Sequence, residues 1–575
     1  MLKLMSFLRP YRTYVVLVVV LTFLQVMSTL YLPNLMSNIV DLGVIKGNIR
    51  YIVEVGGFML LVTILGGVTA VLASWYGSKA TAGFGQLIRS RLFQHVENFT
   101  LHEFDQVGTS SLIVRTTNDV MQVQQLMNMI LRMMVMAPLT ALGGIILALY
   151  TDARLAPVIV VAIPVLGIGI YLVMGNGLSL FRTMQQKVDR INRVLRENLT
   201  GVRVVRSFNR TAYEVNRFDA ANLDLTDTSV QVFQLMAIMM PMVMLIMNLS
   251  TLAIVWFGGI QINNGTLEIG KLMAFIQYVM QIMFAVMMVS MMSFMIPRGQ
   301  ASALRINQVL SMDPEITDPT EPQEPDGAQG QIEFRHVTFN YPGAEEPAIS
   351  DISFTARAGE ITAIIGGTGA GKSTLLNLVP RFYDVTDGSI LIDGVDVRQM
   401  SQATLRAKIG YVPQRAILFT GTISENIRYG NDEASDDLVQ RAAEIAQATE
   451  FIREMPSQFE SVISQGGVNL SGGQKQRLAI ARALVKRPEI YLFDDSFSAL
   501  DYKTDAQLRA ALRHEIAQAT VLIVAQRVST VIDADRIVVL DEGQLVGVGS
   551  HHELLQTCPL YQEIVSSQLS PEEIA

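Results

Sequence analysis

Six apolar runs, each long enough to cross a bilayer as a helix, fill the first half of this 575-residue chain. They lie near residues 14–40, 51–78, 128–150, 154–175, 234–262 and 271–297. Hydrocarbon offers a peptide group no water, so an apolar run of about 20 residues crosses it only with its backbone bonds closed internally, as in a helix. Past residue 297 the composition becomes that of an ordinary soluble domain. The chain averages, 50% hydrophobic and 17% charged, therefore conceal two unlike halves. A chain this long also exceeds a single core, so two or more domains are expected. The sequence divides into a membrane domain over 1–310, a linker over 311–330 and a second domain over 331–575.

The positive charges predict how the runs are threaded. Connections 41–50 and 261–270 are short and carry only two basic residues between them, Lys46 and Arg50. In contrast, 79–127 carries Lys79, Arg89, Arg91 and Arg115, and 176–233 carries a series from Arg182 to Arg217. Both long connections are expected in the cytoplasm, and so are both termini. They contain few glycine or proline breaks, so they read as helices continuing below the membrane. Lys3, Arg9 and Arg12 precede the first run with no small-residue cleavage site, which is not a signal-peptide pattern. The net charge of −8 comes with no basic stripe, giving no reason to expect a nucleic-acid partner. A single cysteine, Cys558, excludes an intramolecular disulfide framework.

The fifth and sixth runs are rich in methionine. Met244 and Asn248 lie in the fifth; Gln277, Met280, Phe284 and Met287 recur at helical spacing in the sixth. Methionine is flexible and polarizable, so these residues suit a cavity for cargo of varied shape. Ordinary helix–helix or lipid contact is an equal reading of the same pattern. No buried acid or charge pair stands out in the span centres, which argues against a proton-coupled carrier.

Prolines 314, 319, 322 and 325 mark the linker, and a strand pattern opens at Gln331. The apolar run Ile361–Ile365 enters Gly366-Gly367-Thr368-Gly369-Ala370-Gly371-Lys372-Ser373, a match to G-x-x-x-x-G-K-[ST]. Backbone N–H groups of such a loop cradle phosphates, and the lysine reaches the β/γ-phosphates. Leu470-Ser471-Gly472-Gly473-Gln474 follows, then the apolar run Ile490–Phe493 ending in Asp494-Asp495. This order resembles the ATP-binding cassette (ABC) family, and the resemblance covers nearly the whole chain. Phe104, Asp105 and Gly108, with Arg115 and Asp119, resemble the first intracellular coupling turn of its exporters; Thr200 and Gly201, within Glu197–Gly201, resemble the second.

The resemblance implies a polytopic α-helical membrane domain fused to an α/β P-loop ATPase domain, using ATP and Mg²⁺. It assigns Tyr341 to adenine stacking, Gly366–Ser373 with Thr374 to the phosphates, and Ser373, Gln414 and Asp494 to Mg²⁺. Leu470–Gln474 would face the ATP of a second domain, so one chain cannot complete a site. Ser498–Asp501 resembles the loop running between the two sites.

Two positions depart from the family pattern. The usual Glu after the strand Asp is Asp495, and the His expected further on is Gln526. Gln465 replaces a frequent Glu just before Leu470. Asp495 is one methylene short as a general base, and Gln526 cannot become cationic. Together with an intact Leu470–Gln474, these changes resemble the weakly hydrolysing half of bacterial heterodimeric multidrug exporters. The expected partner is a second ABC chain that keeps the Glu and the His; a slow homodimer is the alternative. The expected cargo is hydrophobic or amphipathic and the expected location a bacterial cell membrane. Lipid or peptide export, inward siderophore-type transport and an ATP-gated regulator or channel stay open. His551 and His552 are adjacent, point different ways and read as structural.

Overall fold

A computed structural model describes residues 2–325 and 329–569 of the chain; linker residues 326–328 lie outside that range. The described residues form two compact units. One comprises the chain up to Glu97 together with Thr109–Met312; the other comprises Asn98–Gly108 together with the chain from Asp313 onward. The segment Asn98–Gly108, placed in the membrane half by its sequence position, thus groups by contact with the second unit.

In the first unit six helices are long and apolar enough to cross a membrane: Lys3–Val44, Ile49–Val96, Thr109–Thr151, Ala156–Thr200, Thr211–Asn263 and Ile269–Leu310. The fifth has 53 residues. At about 1.5 Å per residue that is roughly 80 Å, far beyond a hydrocarbon core of about 30 Å. The spans therefore continue as helices past the membrane, and the fifth runs on through Pro241. One buried cluster holds Leu30, Ala148, Leu155, Leu166, Ile254, Phe275 and Ile282 together. Close approach depends on small residues: a side chain at Gly144 or Gly258 would strike Ile282 or Leu272.

Two buried carboxylates pin the sixth helix to its neighbours. Asp41 accepts the Gly270 N–H at 2.6 Å and the Ser37 hydroxyl at 3.2 Å. Asp119 accepts the Ser302 hydroxyl at 2.9 Å and Arg305 Nε at 2.8 Å. Both carboxylates sit within short π-helical turns, Ile39–Val44 and Arg115–Asp119. A π-turn inserts a residue into the helix and re-aims the side chains around it.

The second unit is built on two main sheets. Strands β1 (Ile332–Phe339), β2 (Ile349–Ala356), β4 (Asp387–Ile392) and β5 (Val395–Asp396) form an antiparallel sheet in the order β2-β1-β4-β5. The larger sheet uses β3 (Ile361–Gly366), β6 (Ile409–Val412), β7 (Ile490–Asp494), β8 (Thr520–Val524), β9 (Arg536–Asp541) and β10 (Gln544–Gly549), in the order β10-β9-β3-β8-β7-β6. Within it β9, β3, β8, β7 and β6 are parallel. Both β7 and β8 are buried along their whole length, which is why Ile490–Phe493 and Val521–Val524 read as unbroken apolar runs. In such sheets ligands collect beyond the carboxyl ends of the strands. Gly366, Asp494 and Val524 end β3, β7 and β8 at that edge.

Leu101–Val107 is a short helix opened by a capping box of Thr100 and Glu103. Glu103 is buried and also accepts the Glu315 N–H at 3.0 Å, tying the turn to the start of the linker. Gly108 ends the helix at φ +78°, a conformation that favours glycine.

Candidate nucleotide site

Strand β3 delivers the glycine-rich loop to the sheet edge, where Gly369 and Gly371 take φ +87° and +86°. A side chain at Gly371 would meet the Ala348 carbonyl at 2.7 Å, so bulk as well as conformation selects glycine there. The helix Lys372–Leu378 begins directly afterwards, and its first N–H groups have no partner within the helix. Lys372 Nζ donates to the carbonyls of Gly366 at 2.9 Å and Gly367 at 2.6 Å, folding its charge over the loop. Burial holds its pKa below the ordinary lysine value, an effect partly offset by Asp495 and Asp494. Ser373 Oγ donates to Asp494 Oδ1 at 2.8 Å. Burial raises the Asp494 pKa, and the Ser373 bond only partly counters it.

A cavity of about 310 Å³ opens over this loop. It is lined by Tyr341, Thr368 to Thr374, Gln414, Asp495 and Gln526, with Ala348 and Val524 completing the wall. The structure thus brings Tyr341, most of the phosphate loop, Gln414, Asp495 and Gln526 to one place. Tyr341 meets Phe339 edge-on at 4.9 Å between ring centres, and its hydroxyl lies 3.0 Å from that of Thr374. The Ser373 hydroxyl, the Asp494 carboxylate and the Gln414 amide make a donor set of hard oxygens, which fits Mg²⁺.

Asp495 lies beside this cradle in a different state. It has φ +45°, rare for a residue with a side chain, and its N–H donates to the Val524 carbonyl at 2.9 Å. Its Oδ2 accepts Gln414 Nε2 at 3.2 Å and Gln526 Nε2 at 3.2 Å. Gln526 is fixed in turn, because its carbonyl accepts Gln568 Nε2 at 2.9 Å. Gln568 Oε1 also receives the Val528 N–H at 2.8 Å, so one C-terminal residue clamps the backbone on both sides of Arg527. Sequence reasoning passed over Gln568, since no motif surrounds it.

Leu470–Gln474 does not line this cavity. Ser471 opens the helix Gly472–Val485 through a capping box with Gln474, whose Oε1 accepts the Ser471 N–H at 2.9 Å. A side chain on Gly473 would press on the Ala499 carbonyl at 3.1 Å. Phe104, Asp105 and Gly108 fall in the second unit, and Thr200 and Gly201 in the first. Burial, with Asp105 nearby, pushes the Tyr383 phenol up to about 12. Among the cargo candidates Met287 packs against the membrane core, whereas Met244, Met280 and Phe284 are exposed, as are Asn248 and Gln277. His551 is buried with Nδ1 2.8 Å from the Tyr561 hydroxyl, a packing role.

Residues 15–286 match the ABC transporter transmembrane region and residues 349–498 match the ABC transporter domain. The chain belongs to the ABC exporter family. An uncharacterized ABC transporter ATP-binding protein of Mycobacterium tuberculosis is 43% identical over 98% of this chain and 97% of its own length. An ATP-dependent lipid A-core flippase of Desulfotalea psychrophila is 34% identical over 84% of each chain. A Bacillus subtilis protein named "Putative multidrug export ATP-binding/permease protein" is 31% identical over 99% of each. A solved bacterial Atm1-family ABC exporter with ATP bound superposes with a TM-score of 0.81 at 27% identity, over 97% of this chain and 98% of that one. This ABC exporter is accordingly a multi-pass membrane protein carrying an ATP-hydrolysing transporter domain. Exporters of the family work as dimers.

Proposed function

We propose that this chain is the weakly hydrolysing half of a heterodimeric exporter of hydrophobic or amphipathic compounds in a bacterial cell membrane. The observation that carries the reading is the carboxylate of Asp495 held by two amides. A general base must come within about 2.6–3.2 Å of the water proton it takes. Asp495 is a methylene shorter than the usual Glu, and its Oδ2 is already committed to two amides, which leaves Oδ1 to receive a water. Gln526 donates to this carboxylate but cannot carry a proton onward as an imidazolium can.

The remainder of the site is equipped to hold ATP. Tyr341 offers a ring for adenine, the loop N–H groups take phosphate oxygens, and Lys372 swings from two carbonyls to the β/γ-phosphates. Ser373, Gln414 and Asp494 would hold Mg²⁺, which when bound neutralises phosphate charge. Leu470–Gln474 is unaltered, and Ser471 with its helix N-terminus serves the partner's nucleotide. Both termini lie in the cytoplasm, and the turns at Phe104–Gly108 and Thr200–Gly201 carry closure of the ATPase domains to the spans. A second reading, a homodimer moving lipid, draws support from the similarity to the lipid A-core flippase.

Affinity purification of the tagged chain from its native membrane tests the proposal. Stoichiometric recovery of another six-span ABC chain with Glu and His at the two altered positions is the expected result. Recovery of this chain alone, as a dimer that turns over ATP, would overturn it.

A further inference from the structure

Arg132 is a cation inside the third spanning helix with no carboxylate partner among the described residues. Its Nη1 donates to the Ser74 hydroxyl of the second spanning helix at 3.1 Å. The other charges within the apolar runs lie near their outer ends, and Glu54 and Lys271 are paired locally. Glu54 pairs with Arg50 at 2.9 Å, Lys271 pairs with Glu268 at 3.1 Å, and Arg154 follows Asp152 in a turn. Arginine also escaped the sequence reading of the span centres, because one charge near the start of a run resembles a flank.

A cavity of about 380 Å³ lies at this arginine. Gln125, Asn128 and Arg132 supply its polar wall from one face of the third helix, at spacings of three and four residues. Met129, Met133 and Met136 of the same helix and Met288 of the sixth supply the apolar wall. Arg132 lies 19 residues before Thr151 (151 − 132), the end of the helix. At about 1.5 Å per residue that is roughly 28 Å, close to the full thickness of the hydrocarbon core. In the proposed orientation it stands at the cytoplasmic edge of the membrane, at the depth of an inner-leaflet amphiphile's head.

We propose that this cavity is a cargo subsite selective for amphipathic anions; this rests on the exporter reading above. A carboxylate, phosphate or sulfonate head pairs with the Arg132 guanidinium, which binds such groups through two parallel N–H donors. Asn128 and Gln125 add amide donors, and the flexible methionines accommodate tails of different shape. A cationic drug meets no carboxylate here. Anionic cargo and anionic phospholipid headgroups share this chemistry, and experiment separates the two.

The test uses the complete transporter in nanodiscs of phosphatidylcholine, with dansyl-labelled undecanoic acid and its uncharged primary amide as probes. The acid is expected to bind at least about tenfold more tightly than the amide, the scale of one charge-assisted hydrogen bond. Arg132→Gln is expected to erase that preference and Arg132→Lys to retain only part of it, because lysine keeps the charge but not the paired donors. Equal binding of the two probes, or a preference that survives Arg132→Gln in a correctly assembled complex, would overturn the proposal. Discs with added phosphatidylglycerol identify the source of the anion. Displacement of the acid from wild type supports occupancy by lipid headgroups, and undiminished binding supports a site kept for cargo. ATP-dependent uptake of both probes into inverted vesicles separates the two levels of inference. Uptake of the amide without charge preference would sink this subsite and leave the amphipathic-cargo reading standing; uptake of neither would count against both.

Discussion

The phosphate loop and the carboxylate corner sit at the ends of β3 and β7, with β8 between them in one sheet, yet their side chains are committed differently. In the loop, the bonds of Lys372 to two carbonyls and of Ser373 to Asp494 are ones that a phosphate and a cation can replace. In the corner, one of the two Asp495 carboxylate oxygens, Oδ2, is tied by two glutamine amides, and neither amide can accept or pass on a proton. Holding ATP needs N–H donors and a cation, whereas cleaving it needs a free base. Within one cavity these two requirements are met to different degrees.

Lys372→Ala attacks the intact side of this comparison and has the largest expected effect. It removes a cation from the phosphates, so ATP affinity should fall by on the order of a hundredfold in a fluorescent-nucleotide titration. Unchanged affinity would show that the loop does not hold the phosphates. Asp495→Glu combined with Gln526→His sharpens the other side, restoring the longer base and the imidazole. Turnover at this chain's site, measured with the partner's base disabled, should rise by about tenfold or more.

In the proposed Mg²⁺ site a proton would compete with the cation for the Asp494 carboxylate, whose pKa burial raises. Mg²⁺-dependent nucleotide binding should therefore weaken as pH falls, starting above the range where an ordinary aspartate titrates. Asp494→Asn should lose that pH dependence and bind Mg²⁺ on the order of tenfold more weakly, as read by metal titration at several pH values. The smallest expected effect is that of Gln568→Ala, which frees the Gln526 loop. A loss of about 1 kcal/mol in the stability of the second unit follows from its two hydrogen bonds, and thermal unfolding would register it.

The legible and illegible parts of this chain divide along the same physical lines. The glycine-rich loop entering a helix was readable because a backbone at φ +86° admits few residues besides glycine. The six spans were readable because the bilayer imposes length and apolarity on any sequence that crosses it. Their continuation as helices followed from missing breakers. The partners of Asp495 were not readable, since hydrogen bonding between Gln414, Asp495 and Gln526 depends on how three strand ends converge. Gln568 reaches Gln526 across 42 residues, beyond any local pattern. Arg132 and its methionine neighbours became a site only once the third and sixth helices were seen to share a cavity. Grouping of Asn98–Gly108 with the second unit was hidden as well, because the buried contact of Glu103 is with Glu315.

The central claim is that Asp495 contributes little to turnover. The most direct measurement compares steady-state ATP hydrolysis by the purified native complex with that of Asp495→Asn, which keeps shape and removes the carboxylate. The account expects a decrease of less than about twofold, because a base that contributes catalytically is worth about 10²–10⁴-fold. A fall on the order of a hundredfold would contradict it and make Asp495 the working base of this transporter.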